Sequence, residues 1–522
     1  MDPIKIAVVG AGAVGWTRKL LRDLLTVPEF AHLHYSLTDI SERNLDMAYQ
    51  LCVRDVSENH LPTRIEKTMD RRRAFADADY VICAIRQGGL EAFATDIDIP
   101  LKYGIDQCVG DTICAGGIMY AQRTIPVLLD FCRDIREVAK PRAWFLNYSN
   151  PMAMNTWACN QYGNAFTIGL CHGVQGAHWQ ITKAVELWAS KRGLIGQDET
   201  LHRDDVQVVA AGLNHQTWFI QINFRGHDIV PILPEIFGEV EEFARRERVR
   251  IDVLKRFGFY STESNGHLSE YLPWYRKRTE RINDWIDTDV WIDGETGGYL
   301  RICTEGRNWF ETDFPNWLKE DVPKLSGGNA TYKRSEEHGS YIIEARETGR
   351  TYRGHFNVIN KGHITNLMDG CCIEIPGYVD RNGLHMPVVG DLPRGCAATC
   401  SASANVQRMG MEAAVQGDVN LLKLAMLHDP LVGAVCEPEE VWQLTDEMLI
   451  AQSQWLPQYR QEIPRAQARL DAHENAGTRV KRIETRGAAR KHTKTVEEMS
   501  SEKDEMRKMA GETDRGKLTR QG

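Results

Sequence analysis

The sequence predicts an α/β fold, with a doubly wound N-terminal sheet followed by a C-terminal α+β lobe. Three observations predict it. Short apolar runs alternate with helical apolar periodicity through the first two hundred residues. A glycine-rich turn stands between the first run and the first helical stretch. From about residue 200 the alternation gives way to strands that read as antiparallel. The 522 residues exceed what one core usually serves, so two lobes are expected, at 1–198 and 199–460, with a charged tail at 461–522. The net charge of −9 argues against generic nucleic-acid binding, which needs a basic face. The 13 cysteines, an odd number without a small-domain spacing, point to reduced thiols in the cytoplasm. The N-terminus enters a strand directly and has no secretory pattern, and no apolar run approaches the ~20 residues of a membrane helix.

In the N-terminal lobe, Ile4-Lys5-Ile6-Ala7-Val8-Val9 is an apolar run ending in Gly10. Gly10-Ala11-Gly12-Ala13-Val14-Gly15 matches G-x-G-x-x-G, and residues 16–25 read as a helix. Strand, glycine turn and helix in that order mark a Rossmann-like dinucleotide site. Gly10 serves the tight turn, Gly12 admits the pyrophosphate, and Gly15 is expected to let helix and strand pack closely. The phosphates then sit at the helix N-terminus. Residues 33–37 form the second strand, ending in Thr38-Asp39. Asp39 stands where a carboxylate accepts hydrogen bonds from the adenosine ribose. It would repel a 2′-phosphate, so the expected cofactor is NAD.

Asp79-Tyr80-Val81-Ile82-Cys83-Ala84-Ile85 is another buried strand, and Arg86 follows it at a ligand-binding sheet edge. Gly110-Asp111-Thr112 precedes a helical pattern at 118–138. Ala143-Trp144-Phe145-Leu146-Asn147 is a strand that opens into Tyr148-Ser149-Asn150-Pro151. Asn150 either presents its amide to a ligand or caps the helix that follows. The next strand, Phe166-Thr167-Ile168-Gly169-Leu170, runs into Cys171-His172-Gly173 at a helix start. A helix N-terminus stabilises a thiolate, so Cys171 is a candidate soft metal ligand and His172 a proton donor beside it. The competing reading is a buried cysteine next to a turn histidine.

In the second lobe, Gly212-Leu213-Asn214-His215 lies between two strands, a good place for a metal ligand once Cys171 is its partner. Residues 258–274 are dense in acid–base groups, among them Glu263, His267 and Tyr271, although Ser264 or Asn265 could simply cap a helix there. Residues 276–334 resist assignment. Residues 344–360 read as helical and then extended. Cys371-Cys372 lacks metal-ligand spacing and reads as core. Residues 405–426 and 439–453 carry helical periodicity. After Tyr459 no aromatic residue occurs, so residues 461–522 are expected to be disordered or loosely helical.

The ordered set Gly10-x-Gly12-x-x-Gly15, Asn150-Pro151, Cys171-His172-Gly173-Val174 and Gly212-Leu213-Asn214-His215 resembles the NAD- and manganese-dependent glycosidases of glycoside hydrolase family 4, closest to its α-galactosidase branch. The similarity runs from about residue 4 to about residue 458. It takes in Gly116-Gly117-Ile118-Met119, Glu270-Tyr271, Pro273-Trp274, Asp429-Pro430 and Trp455-Leu456-Pro457. Such enzymes depart from two-carboxylate hydrolysis. The resemblance implies a small carbohydrate substrate, NAD, Mn²⁺ or another divalent transition metal, and a homodimer or homotetramer, with the C-terminal lobe completing the active site. It implies hydride removal from C3 of the sugar, loss of the C2 proton, elimination of the leaving group, water addition and hydride return. Cys171 and His215 match the metal ligands, His172 the acid, and Asn150 and Asp111 substrate contacts. The base position of relatives is Ser264 here, so Glu263, His267 and Tyr271 are the candidate bases. Gly173 replaces a serine usual in close α-galactosidases, and Cys114-Ala115 replaces Gly-Pro. Arg86 could meet a C6 carboxylate, the cofactor or a structural partner. The alternatives are therefore an α-glucuronidase or α-galacturonidase of the same family, a plain NAD-dependent hydroxy-acid dehydrogenase sharing the N-terminal lobe, or a sensor that kept only the fold.

Overall fold

The computed structural model describes residues 3–288, 294–480 and 490–502. Six strands come first: β1 (Lys5–Val9), β2 (His34–Thr38), β3 (Arg64–Thr68), β4 (Tyr80–Cys83), β5 (Trp144–Asn147) and β6 (Thr167–Gly169). They pair in parallel in the order β3-β2-β1-β4-β5-β6. β1, β4 and β5 are buried along their whole length, because helices cover both faces of the sheet. That burial explains why they read as unbroken apolar runs. The strand order reverses between β1 and β4, where ligands bind beyond the carboxyl ends.

Register decides what gathers at that edge. Val9 pairs with Thr38 and with Cys83, Cys83 with Asn147, and Asn147 with Gly169. Gly10, Asp39, Arg86, Asn150 and Cys171 therefore all leave the sheet on the same side within a few residues of their strand ends.

The sheet does not stop at β6. β7 (Val206–Leu213), β8 (Gln216–Phe224), β9 (His227–Asp228), β10 (Tyr260–Ser261), β11 (Tyr352–Ile359), β12 (Cys372–Asp380) and β13 (Gly383–His385) extend it antiparallel. β6 joins β11 through Asn357 opposite Gly169, and β12 joins β7 through Glu374 opposite Gly212. β7 and β8 form a hairpin whose turn is Asn214-His215. The two expected lobes thus share one 13-stranded sheet. They also share a core, in which Ile6, Val8 and Leu37 meet Ile342, Ile343 and Phe356. The helix His338–Thr348 supplies the first two of those partners from the C-terminal half.

Helix positions follow the sequence pattern closely. The helix expected at 118–138 begins earlier and spans Cys114–Val138. The stretch 405–426 is two helices, Arg394–Gln416 and Val419–His428, separated by Gly417 in the left-handed region. In the unassigned middle, the helix Gly298–Trp317 packs Trp317 and Phe310 against Val14 and Met47 of the N-terminal half. Within the stretch read as a charged tail, Ile463–Ala476 is a helix. It buries Ala466 and Leu470, and Arg469 grips Asp446 through two contacts of 2.8 Å. Two apolar contacts on one face, with an ion pair beside them, suffice to dock it where overall composition predicts a loose segment. The rest of that reading, at 481–489 and 503–522, lies outside the described residues. Among the described residues, no helix is long and apolar enough to cross a membrane.

Candidate active site

The glycine turn opens a cleft of about 670 Å³ lined by Gly10, Gly12, Asp39, Ile85 and Arg86. Gly10 has φ +85°, and a Cβ there would lie 2.3 Å from the Ala84 carbonyl oxygen. A Cβ on Gly12 would lie 2.8 Å from Asp39 Oδ2, which accepts the Gly12 amide at 2.7 Å. Asp39 Oδ1 accepts the Ser41 amide, so the carboxylate is fixed at the cleft rim. The helix Val14–Leu25 starts without a side-chain cap and without an acid in its first turn. Its free amides face an anion's natural position. These features fit a dinucleotide. Gly15 does not do what its spacing suggests: a Cβ there would meet only the Phe310 ring, at 3.8 Å. Its neighbour is a C-terminal helix, and the close helix–strand approach is made without it.

The second feature is a cluster of donors from four elements. Cys171 precedes the helix Gly173–Lys191, and its sulfur accepts the Gly173 amide at 3.4 Å. His215 occupies the β7–β8 turn at φ +62°, a left-handed conformation that is uncommon outside glycine. The paired strands on either side of the turn hold the residue there, and residues so held cluster at functional sites. Thr112 Oγ1 lies 2.6 Å from its Nδ1, which leaves Nε2 for a ligand. Glu263 follows β10 and places Oε1 3.8 Å from His215 Nε2 and 3.9 Å from Cys171 Sγ. Cys171, His215 and Glu263 form one group of donors within 4.8 Å of one another, and Asp111, His215 and His267 form a second. A thiolate, an imidazole and a carboxylate on one point suit a divalent transition metal.

The electrostatics are those of a site built for charge. Burial alone would depress the His215 pKa, but Glu263 and Cys171 beside it raise it well above the usual imidazole value. Burial alone would raise Glu263, and His215 and His267 hold it below the usual carboxylate range. Burial pushes the Cys171 thiol up, with His215 opposing. Burial also lowers the His267 pKa.

Helix Asn265–Tyr271 positions the remaining acid–base groups. Ser264 caps it, accepting the His267 amide at 3.3 Å, so the capping reading holds for Ser264. The same hydroxyl lies 2.9 Å from His267 Nδ1 and fixes the ring, which packs edge-on against His215 at 4.9 Å. Tyr271 is wholly buried, 5.9 Å from the His267 ring. Asn150 does not cap its helix; its amide donates to Asp111 Oδ2 at 2.8 Å. Arg86 lies over the rings of Phe93, at 4.3 Å, and Tyr120, at 4.9 Å, with Nη2 3.8 Å from Asp111. Its Nη1 is buried, with no hydrogen-bond partner among the described residues. His172 departs from the cluster. Its Nε2 pairs with Glu337 Oε2 at 2.8 Å, and its ring stacks on Tyr148.

Several residues were not legible as site residues. Glu270 accepts the amides of Cys108, Val109 and Gly110 at 2.7, 3.0 and 2.8 Å, and so clamps the loop that carries Asp111 and Thr112. Burial pushes its pKa up to about 7 against those three amides. Glu337 and His338 meet the Cys171-His172 pair from the C-terminal half, Glu337 at the His172 ring and His338 Nε2 at the Cys171 carbonyl, 3.0 Å away. Both lie beside a stretch without periodicity, so no local signal marked them. Glu270 stood in a recognisable block, and its glutamate next to Tyr271 was the available signal.

The chain has clear relatives. The model described as "Family 4 glycosyl hydrolase" matches residues 5–187, and that of the "Family 4 glycosyl hydrolase C-terminal domain" matches residues 210–432. An alpha-galactosidase of Rhizobium meliloti (strain 1021) is 55% identical over 505 residues, covering 97% of this chain and 98% of that protein. The crystal structure of lplD from Bacillus subtilis, described as a candidate glucosidase, superposes with TM-score 0.73 at 26% identity, covering 86% of this chain and 100% of that one. A 6-phospho-alpha-glucosidase from gut microorganisms, in complex with NAD and Mn²⁺, shares the fold with TM-score 0.70 at 19% identity, covering 87% and 99%. With the two family models matched over residues 5–187 and 210–432, the chain belongs to glycoside hydrolase family 4.

Proposed function

We propose that the protein hydrolyses α-galactosides by oxidation at C3, proton removal at C2, elimination and water addition. The observation that carries the chemistry is the junction at Arg86, which lines the dinucleotide cleft and stands 3.8 Å from Asp111 of the donor cluster. A redox cofactor in the cleft and a metal at the cluster would then act on neighbouring atoms of one substrate. The glycone is supported by the 55% identity to the Rhizobium alpha-galactosidase. When bound, NAD supplies a reversible oxidation at C3, and the divalent metal supplies Lewis acidity at the adjoining sugar oxygens.

The chain's own residues do the rest. Gly10, Gly12 and Asp39 line the cleft that would hold the dinucleotide, and the uncapped helix start offers its free amides to phosphate, while Gly15 lies outside that lining. Cys171 and His215 would hold the metal, Thr112 orienting the imidazole from behind. Asn150 and Asp111 form one hydrogen-bonded unit that would meet the sugar hydroxyls, and Arg86 adds a buried N–H with no partner among the described residues. His267 takes the C2 proton. Its ring is locked by Ser264 on one nitrogen and lies against His215, whereas Tyr271 is wholly buried beneath it. His172 is assigned as the acid toward the leaving oxygen on the family resemblance; since Glu337 holds its Nε2, the proton would come from Nδ1 after the ring turns toward the cluster. A homo-oligomeric state and a cytoplasmic location belong to the same reading, the latter supported by 13 unpaired cysteines.

The test is turnover of an aryl α-galactoside. Hydrolysis is expected to require both NAD and Mn²⁺, to stop on chelation, and to leave no net NADH. NADH accumulating without release of the aryl group would overturn the reading in favour of a plain dehydrogenase.

A further inference from the structure

Gly173 stands at the first position of a 19-residue helix, where alanine is ordinarily the better residue. Its backbone does not require glycine, since its φ is outside the left-handed region. Space does. A Cβ on Gly173 would lie 1.7 Å from Glu263 Oε1 and 2.8 Å from its carboxyl carbon. The carboxylate thus reaches directly over the helix start toward Cys171.

What it reaches for is read from the distances. Oε1 is 3.8 Å from His215 Nε2 and 3.9 Å from Cys171 Sγ. The carboxylate's other oxygen is 3.8 Å from His267 Nδ1, which Ser264 already engages at 2.9 Å. These approaches are too long for strong charge-assisted hydrogen bonds. They match the edge of a coordination shell, where donors at roughly 2.0–2.3 Å from one metal stand roughly 3–4 Å apart. Glu263 is 8% exposed, and a nearly buried carboxylate without close donors is costly unless a cation meets it.

We propose that Glu263 is a third protein donor to the divalent metal held by Cys171 and His215, with Gly173 the clearance residue that admits it. The inference rests on the reading of Cys171 and His215 as metal ligands. A thiolate and a carboxylate then neutralise a dication inside a buried site, while the imidazole adds no charge. The remaining positions stay open for the sugar. Glu263 is thereby removed from the candidate bases.

The test is Mn²⁺ binding, followed by the free-ion electron paramagnetic resonance signal in the full chain with NAD present. Glu263→Gln is expected to weaken Mn²⁺ binding at least tenfold, and Gly173→Ala to do the same by displacing the carboxylate. His267→Gln is expected to stay within about threefold of the parent, and Cys171→Ser to abolish binding. Parental affinity in Glu263→Gln, with binding lost in Cys171→Ser, would overturn the third donor and leave the Cys171–His215 site standing. Parental affinity in Cys171→Ser would overturn the metal site itself. Gly173→Ala favours its helix, so it keeps the test decisive should Glu263→Gln fail to fold; parental affinity there would overturn the clearance role.

Discussion

Glu374 shows how a single side chain ties the site to the fold. It lies on β12 opposite Gly212, accepts Thr217 Oγ1 at 2.7 Å and Asn357 Nδ2 at 3.4 Å, and is 1% exposed. Burial pushes its carboxyl pKa up to about 7. Folding therefore holds this carboxyl protonated. Its contribution to stability is full below about pH 4.5 and fades as the pH rises through about 7. Glu374→Gln, which cannot ionise, is expected to gain on the parent by on the order of 2 kcal/mol between pH 5 and pH 8. Urea unfolding of the metal-free protein at the two pH values measures this, and an unchanged difference would contradict the buried, protonated carboxyl. Glu374 illustrates why sequence reading stops where it does. Its importance comes from a bridge between β7 and β12, some 160 positions apart, and no local pattern announces such a bridge. Gly10 and Gly12, by contrast, act within a turn of a few residues, so their spacing alone revealed them. Gly15 shows the limit of spacing: the motif put it in the right place, and the packing partner turned out to be Phe310.

At the scale of elements, legibility followed periodicity. β1, β4 and β5 are buried on both faces and read as continuous apolar runs, and the helices on them kept their period. The antiparallel hairpin β7–β8 was legible because a glycine turn interrupts two alternating stretches. The helix Gly298–Trp317 was not, because its aromatic face meets the N-terminal half and only the assembled fold shows what it covers. The helix Ile463–Ala476 fits the loosely helical alternative but is docked rather than loose, for a related reason. Composition averages over a stretch, and two inward residues on one face decide docking. Leu470 is 8% exposed, on a helix that packs against the helix Pro438–Ala451. Leu470→Ala is expected to cost about 2 kcal/mol in urea unfolding. Unchanged stability would mean that this helix contributes nothing to the folded body.

The whole molecule joins two chemistries through one sheet. The parallel half carries the dinucleotide cleft at its reversal point, and the antiparallel half delivers His215, Glu263 and His267 to the same edge. Cys171 stands at the seam, just beyond the end of β6, the strand that pairs with both halves. That arrangement is what the ordered motifs pointed to. The contacts that perfect it, such as Glu270 under the Asp111 loop and Glu337 on His172, come from long-range packing. The central claim is that the glycosidic bond breaks by elimination after the C2 proton is removed. The most direct measurement is turnover of an aryl α-galactoside in deuterated water, with NAD, Mn²⁺ and reductant present, followed by analysis of the sugar. Deuterium at C2 of the released galactose is the expected result. Release of galactose carrying no deuterium at C2 would contradict the account.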